Sequence, residues 1–295
     1  MKRIINLKGL FGLVFTFFAF SLLLFFGQEL SKSVSETVLV CGKVLIPQLF
    51  LYLCFSSFLW EIGIIEGIIY TFPRFGAEIS AFIFGLLLGF PSGALIVGKL
   101  CDSGAITKKR GEYILTFSNN TGVSFVFGYV SLIVGIRGAL SIFLCQLVFS
   151  TVFAFFGRLF LSDEDKKTYF IKKINKEKSS KILSAIGNGT ENMVNLCGIV
   201  IIFSAISSLF FHISPELSGF IEMTTGVASL SALPFDNSFF RCASYVCFGG
   251  ICVYFQISSV CGVKTRKYLL AKTISALFSP LLSTAIHFLI TKTNL

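Results

Sequence analysis

The sequence has few ionisable side chains for its length. Asp, Glu, Lys and Arg make up 14% of its 295 residues, it contains only two His, and 54% of its residues are hydrophobic. Soluble domains average about 25% charged residues and lack repeated apolar runs of about 18 residues or more. The shortage of charge excludes an ordinary soluble domain, and the repeated apolar runs predict an integral, multi-pass membrane protein.

The sequence motifs of common enzyme and metal sites are also missing. The chain has no HExxH, Walker A, GxGxxG or nucleophile-elbow motif, and its few carboxylates do not form acid–base pairs. Its nine Cys form no CxxC pair, and most lie inside apolar runs, where Cys packs as a small hydrophobic residue. We therefore expect no enzyme activity, no metal site and no cofactor.

The net charge of +10 does not indicate nucleic-acid binding, because the lysines are concentrated in short segments between apolar runs. The segment 162–181 alone contains seven Lys. Basic loops of membrane proteins lie in the cytoplasm. We therefore place 162–181 and the N-terminus in the cytoplasm, and we expect the lipid bilayer, not a nucleic acid, as a partner.

Nine apolar segments can be placed along the chain. They cover 10–26, 44–65, 81–100, 112–134, 139–161, 193–211, 219–233, 238–260 and 268–290. Two are unsuited to a simple crossing, because 81–100 is interrupted by Pro91 between glycines and 219–233 is short and polar. Non-helical backbone at membrane depth survives only inside protein or beside a watery cavity. The break in 81–100 therefore indicates a buried polar site, and hence transport.

The basic segments constrain the topology. If Arg74, 108–110 and 162–181 all lie in the cytoplasm, 81–100 must enter and leave on the same side, as a re-entrant hairpin. A second hairpin at 219–235, open to the opposite side, then returns the chain to the cytoplasm for its last basic segment. Both halves have the order span, hairpin, span, span in opposite orientations, a design that recurs in secondary transporters.

The predicted fold is all-α, with inverted repeats, two re-entrant helical hairpins and discontinuous transmembrane helices. Residues 10–26 are interpreted as an uncleaved first span, because no small-residue cleavage site follows them. The predicted parts are an N-terminal transmembrane helix and loop (1–37), a first repeat (38–161) with its hairpin at 81–100, a cytoplasmic basic loop (162–181), and a second repeat (182–295) with its hairpin at 219–235.

Polar residues interrupt the apolar segments at four places, and each place supplies candidate substrate-binding residues. Freed backbone amides can bind an anion, and Asn and Gln side chains can hydrogen-bond a polar ligand. The candidates are Pro91, Ser92 and Gly93; Ser118, Asn119, Asn120 and Thr121; Glu222, Thr224 and Thr225; and Gly249, Gly250, Gln256 and Ser258.

Each of these places has an alternative interpretation. The polar run at 117–122 is either a ligand site or a kink satisfied by neighbouring helices. Gly249 and Gly250 are either part of a site or sites of helix packing. Glu222 is either a proton or ion carrier or a carboxylate at a pore mouth.

Several of these motifs resemble a known family. GFPSGA at 89–94, SGAI at 103–106 and FSNNTG at 117–122 resemble the first half of the YlbJ-type sporulation integral membrane proteins. EMTTG at 222–226 and FGG at 248–250 resemble their second half. These proteins carry the nucleoside-recognition, or Gate, domain that is shared with concentrative nucleoside transporters.

The resemblance implies two re-entrant hairpins packed against two discontinuous helices, with the substrate held where they meet. Carried over by position, it assigns to the site Ser92, Asn119, Asn120, Thr224, Thr225 and Gln256. It also implies a role in spore formation, with movement of dipicolinic acid into the forespore as the transport task. The implied location is a bacterial cell membrane, in particular the outer forespore membrane.

We therefore expect a membrane transporter of a small polar, anionic metabolite, with dipicolinic acid as the candidate small-molecule substrate. A nucleoside transporter is one alternative, and a non-transporting membrane scaffold or gate needed for spore assembly is another. The sequence leaves open the coupling ion and the oligomeric state, a homo-oligomer included.

Overall fold

The computed structural model describes residues 17, 20, 21, 24–169, 178–211 and 214–293. All regular secondary structure in these residues is helical, which confirms the all-α prediction. Most of the first predicted span, 10–26, and residues 170–177 of the basic loop lie outside the described residues.

The described helices follow one another along the chain with short connections. The α-helices are α1 (Gly27–Val40), α2 (Ile46–Ile62), α3 (Ile64–Thr71), α4 (Gly76–Leu88), α5 (Ser92–Asp102), α6 (Lys108–Ser118), α7 (Val123–Phe125), α8 (Ser131–Leu159), α9 (Lys178–Phe211), α10 (Pro215–Ile221), α11 (Met223–Ser229), α12 (Phe235–Phe248), α13 (Gly250–Val260) and α14 (Arg266–Lys292). Two π-helical turns, Cys41–Leu45 and Val126–Val130, connect α1 to α2 and α7 to α8, and a 3₁₀ turn, Leu230–Ala232, follows α11.

Several helical stretches are long and apolar enough to cross a membrane. Within the described residues there are four, namely Lys108–Leu159, Lys181–Phe210, Phe235–Val260 and Arg266–Lys292. A fifth is reached if α2 and α3, which meet at an angle of 59°, are counted as one span. The chain is therefore an integral, multi-pass membrane protein, as its composition predicts.

Helix α1 lies where the sequence predicts a loop. Residues 27–37, expected to follow the first span as a loop, are helical, and the helix continues through a π turn into α2. The segment 28–45 contains no Pro and only one Gly, Gly42, so its backbone favours helix throughout. α2 ends at Gly63, whose φ of 86° turns the chain into α3. The span predicted at 44–65 is therefore bent near its end.

Helices α6 and α8 form an antiparallel pair. The chain reverses at Gly135, a non-helical position within α8 whose φ and ψ are 69° and 166°, and the part of α8 after Gly135 packs back along α6. The Tyr113 hydroxyl donates to the carbonyl oxygen of Ala154 over 2.7 Å. The segments predicted at 112–134 and 139–161 are thus the two legs of one pair.

Two further antiparallel contacts complete the bundle. α12 packs against α14, with the Ser244 hydroxyl donating to the carbonyl oxygen of Ala276 over 3.1 Å. α9 packs along α1 and α2, with the Ser184 hydroxyl donating to Oε1 of Glu61 over 3.2 Å. In each half of the chain a long helix, α2 in the first half and α9 in the second, precedes the broken segments.

Buried ion pairs hold one end of the bundle together. Nη2 of Arg110 lies 2.6 Å from Oε2 of Glu78, and Nη1 of Arg158 lies 2.7 Å from Oε1 of the same carboxylate. The fully buried Arg110 also donates to the carbonyl oxygens of Arg74 and Lys166. This network joins α4, α6 and α8 to the start of the basic loop.

The basic segments lie together at this end. Arg110 links Arg74 and 108–110 to the start of 162–181, and Nζ of Lys267 lies 3.2 Å from Oε2 of Glu112. We call this region, formed by residues 74, 108–110, 158–169 and 264–267, the basic end.

Candidate functional site

Helices α4 and α5 pack against each other across the short turn at 89–91. Gly85 and Gly93 face each other inside this pair, and the carbonyl group of Ser118 rests against both. A Cβ on Gly93 would lie 2.5 Å from that carbonyl oxygen, closer than van der Waals contact allows. The two glycines therefore let the end of α6 enter the angle of the first hairpin.

The polar break after α6 is satisfied by protein groups. Oδ1 of Asn119 accepts a hydrogen bond from the backbone N–H of Ala94 over 2.8 Å, which caps α5 from a separate part of the chain. Nδ2 of Asn120 donates to the carbonyl oxygen of Phe117 over 2.9 Å and to the Ser150 hydroxyl over 3.0 Å. Both Asn side chains are buried. They bind the backbone and a neighbouring helix, as a satisfied kink does.

Thr121 connects the two halves of the chain. Its backbone N–H donates to Oε1 of Gln146 over 3.0 Å, and its hydroxyl donates to the carbonyl oxygen of Val246 over 2.9 Å. Its hydroxyl also lies 3.8 Å from the sulfur of Met223, in the second hairpin. The first break is thereby attached to α12 and α11.

The second hairpin consists of α10 and α11 and turns at Glu222. Oε1 and Oε2 of Glu222 accept the backbone N–H groups of Thr224 and Thr225 over 3.0 and 2.7 Å, so this buried carboxylate caps α11. Gly219 and Gly226 bring the two helices into backbone contact. The hairpin therefore runs over 215–229, earlier than the predicted 219–235, because the carboxylate cap fixes the turn.

Two glycines form the break between α12 and α13. Gly249 and Gly250 have φ values of 85° and 90°, a region that side-chain-bearing residues rarely adopt. A Cβ on Gly249 would lie 3.0 Å from the ring of Phe90, and one on Gly250 would lie 3.2 Å from the backbone nitrogen of Met223. The two glycines thus pack against the two hairpin turns.

The same contact occurs in both halves. In the first half, Gly89 of the hairpin turn lies against Gly122 of the following break, where an added Cβ would lie 3.0 Å from the Gly122 nitrogen. In the second half, the turn at Glu222 lies against Gly250 of the following break. Each hairpin turn therefore packs against the broken helix that follows it.

These turns and breaks border a cavity of ≈ 90 Å³. Its polar and aromatic lining consists of Thr121, Ser124, Glu222, Thr224, Gln256, Phe90 and Phe125. Apolar side chains from distant helices, including Leu45, Leu49 and Leu196, complete the wall. The cavity thus combines an apolar wall with a few convergent polar groups, the usual composition of a small-molecule site.

A second, larger cavity of ≈ 750 Å³ adjoins the first. The two share Leu45, Ser124, Phe125 and Thr224 as lining residues. The larger one extends along α11 and the π turn before α8, away from the basic end, to Leu132.

The predicted site residues fall into two groups. Those that line the smaller cavity are Thr121, Glu222, Thr224 and Gln256, and Thr225 lines the larger one. The others have packing or surface positions: Pro91, Ser92 and Gly93 at the start of α5, Ser118, Asn119 and Asn120 around the first break, Gly249 and Gly250 at the second break, and Ser258 on an exposed face of α13.

Sequence reasoning missed two kinds of residue at the site. Phe90 and Phe125 line the smaller cavity but are hard to distinguish among 36 Phe. Lys272 lies behind the first break, where Nζ donates to Oδ1 of Asn120 over 3.0 Å. The sequence does contain a signal for Lys272, because an ionisable residue inside an apolar segment marks a functional position by default.

Comparisons with protein-family models, with curated proteins and with solved structures found no match to this chain.

Proposed function

We propose that this protein is a membrane transporter of a small polar solute, which binds in the cavity between the two hairpins and the two broken helices. The observation that supports this proposal is that both halves of the chain supply polar groups to the same cavity. Thr121 comes from the first break, whereas Glu222 and Gln256 come from the second half. A plain membrane anchor has no use for broken backbone at this depth, whereas a solute-binding site does.

We further propose that α4–α5 and α10–α11 are re-entrant hairpins in two inverted repeats. In support, α4–α5 begins and ends toward the basic end, because Glu78 belongs to its ion network and the Cys101 thiol, near the end of α5, donates to the carbonyl oxygen of Thr107. The α10–α11 hairpin follows the far end of α9, where Glu216 lies 3.1 Å from Arg241. The two hairpins thus open toward opposite ends of the bundle.

The lining favours a neutral solute over an anion. Among the described lining residues, the charged group is the carboxylate of Glu222, and there is no Lys, Arg or His. An amide, hydroxyl groups and the rings of Phe90 and Phe125 suit a nucleoside, which presents an aromatic base and hydroxyl groups. We therefore propose a nucleoside as the favoured solute class, with dipicolinate, the solute implied by the resemblance, as the comparison.

Uptake into proteoliposomes tests this proposal. Labelled uridine is expected to accumulate faster than labelled dipicolinate. Thr224→Val and Gln256→Leu are each expected to lower uridine uptake at least about tenfold, because each leaves a solute group without its hydrogen bond in a desolvated site. Ser258→Ala, on an exposed face of α13, is the matched control and is expected to transport normally.

The possible results separate the hypotheses. Transport of dipicolinate alone contradicts the proposed solute class but supports transport. Movement of neither solute contradicts both solutes. If Thr224→Val and Gln256→Leu leave the protein's function in the cell intact, the scaffold alternative is favoured.

Labelling of single cysteines tests the opposite orientation of the hairpins. Lys109→Cys and Glu216→Cys place the reporter on exposed side chains at the two ends of the bundle. A membrane-impermeant maleimide applied to intact cells is expected to label Glu216→Cys and not Lys109→Cys. The unsubstituted protein controls for the nine native Cys. Equal labelling of both variants from one side refutes the inverted arrangement.

A further inference from the structure

Lys272 is a buried cation inside α14. Lys272 is only 5% exposed and lies nearly two helical turns from Arg266, at the start of the helix. Nζ donates to Oδ1 of Asn120 over 3.0 Å, and no Asp or Glu of the described residues forms an ion pair with it. A charged group in this position loses its hydration without gaining a counter-ion, so intramembrane lysines of this kind serve a function.

The surroundings of Lys272 are uncharged but polar. The rings of Phe90 and Tyr268 have their centroids 5.9 and 5.8 Å from Nζ. Lys272, Asn120 and Gln146 line a narrow crevice between α6, α8, α12 and α14, and Nε2 of Gln146 has no hydrogen-bond partner among the described residues. The crevice has no room for a water molecule, so a second ion does not fit beside the ammonium group. Lys272 itself is therefore the cation of this site.

Few titratable groups of the described helices face Lys272. They are Cys247 on α12, Cys145 next to it on α8, and Tyr268 on α14 itself. α6 and the break after it present Thr116 and Asn120, neither of which titrates. A pH-dependent change that disappears when Lys272 alone is substituted can therefore be assigned to Lys272.

Glu222 is a weaker candidate for proton binding. Both of its oxygens accept backbone N–H groups of α11, so protonation would disrupt the cap of the second hairpin. Within the part of the chain that the structure describes, the ammonium of Lys272 has one acceptor, Asn120. Asn120 also pairs with Ser150 and therefore keeps a partner when Lys272 changes. Asn120 immediately precedes Thr121, a lining residue of the smaller cavity.

We propose that Lys272 is the proton-binding site that couples a pH gradient to the movement of the break at 119–122; the coupling rests on the transport function proposed above. The protonated amine donates to Asn120 and holds the break against α14. Release of the proton to water at the basic end leaves a neutral amine, whose hydrogen bond is weaker. The break and Thr121 are then free to move relative to α14.

Melting curves of the purified protein in detergent test proton binding without any solute. Wild type, Lys272→Met and the exposed control Lys267→Met are compared from about pH 6 to about pH 10. Lys272→Met removes the cost of a buried charge, so it is expected to melt above wild type at low pH, with the difference shrinking as pH rises and wild-type Lys272 loses its proton. Lys267→Met is expected to follow the wild-type slope. Lys272→Gln keeps a polar side chain and is expected to show the same pH trend, which protects the test against a packing defect.

A constant offset between the Lys272 variants and wild type at all pH values overturns the proposal. Uridine uptake then tests coupling. An inside-alkaline gradient of one pH unit is expected to raise wild-type accumulation by up to about tenfold for one proton per solute. Lys272→Met is expected to exchange uridine but to ignore the gradient, and a retained gradient response contradicts coupling through Lys272. If uridine does not move at all, the transport proposal fails while the melting curves still decide whether Lys272 binds the proton.

Discussion

Glu78→Ala is expected to lower the free energy of unfolding by about 3–5 kcal/mol, because it leaves buried guanidinium groups without their carboxylate. Arg110 is fully buried, and its Nε and Nη2 atoms both donate to Glu78. Arg158 contributes a third hydrogen bond, over 2.7 Å, to the same carboxylate. Removal of the shared carboxylate therefore leaves two buried positive charges whose remaining acceptors are neutral carbonyl and hydroxyl oxygens.

Thermal unfolding in detergent micelles measures this effect. Glu164→Ala, which removes the exposed ion pair with Lys167, is the matched control and is expected to leave the melting temperature nearly unchanged. Glu78→Gln keeps an acceptor oxygen and is expected to fall between wild type and Glu78→Ala. Similar melting temperatures for Glu78→Ala and Glu164→Ala contradict a stabilising role for the buried network.

The same substitution is expected to release the start of the basic loop. Arg110 donates to the carbonyl oxygens of Lys166 and Lys167 and to the Thr168 hydroxyl. With Glu78 absent, the guanidinium loses the group that holds it in place. Limited proteolysis should therefore cleave after Lys166 and Lys167 faster in Glu78→Ala than in wild type.

Much of the architecture could be predicted from the sequence. Hydropathy predicts the apolar stretches because a membrane span requires a long apolar run, and Pro91, Gly249 and Gly250 mark breaks because of their backbone chemistry. The loop expected within 1–37 was wrong, since weak hydrophobicity there reflects an exposed helix face and not a helix end. The second hairpin was placed too late, because the turn depends on the carboxylate cap of Glu222.

The site itself could be predicted only in part. The polar runs located the breaks, but they did not distinguish residues that satisfy freed backbone groups, such as Asn119, from residues that line a cavity, such as Gln256. That difference depends on which helix lies opposite each side chain. Glu78 and Arg110 are 32 positions apart, so the network they form at the basic end required the fold.

Gly226→Ala and Gly85→Ala are expected to destabilise the protein by about 3 kcal/mol or more each, and to abolish uptake where any folded protein remains. The added Cβ at Gly226 would overlap the Cα of Gly219, and at Gly85 it would overlap the carbonyl oxygen of Ser118. These are backbone atoms within packed helices, so they cannot move aside as the end of a long side chain can. Either hairpin would have to open.

Gly198→Ala in α9 gives the opposite expectation and controls for the substitution itself. Among the described residues, no atom outside the backbone of α9 itself lies within 4 Å of an added Cβ at Gly198. Ala is favoured over Gly in a helix by about 1 kcal/mol, so this variant should melt at or above the wild-type temperature. The sign of the effect therefore separates close backbone packing from helix propensity. If Gly226→Ala and Gly198→Ala shift the melting temperature in the same direction, α10 and α11 do not meet through Gly219, and the second half of the cavity lacks the support described above.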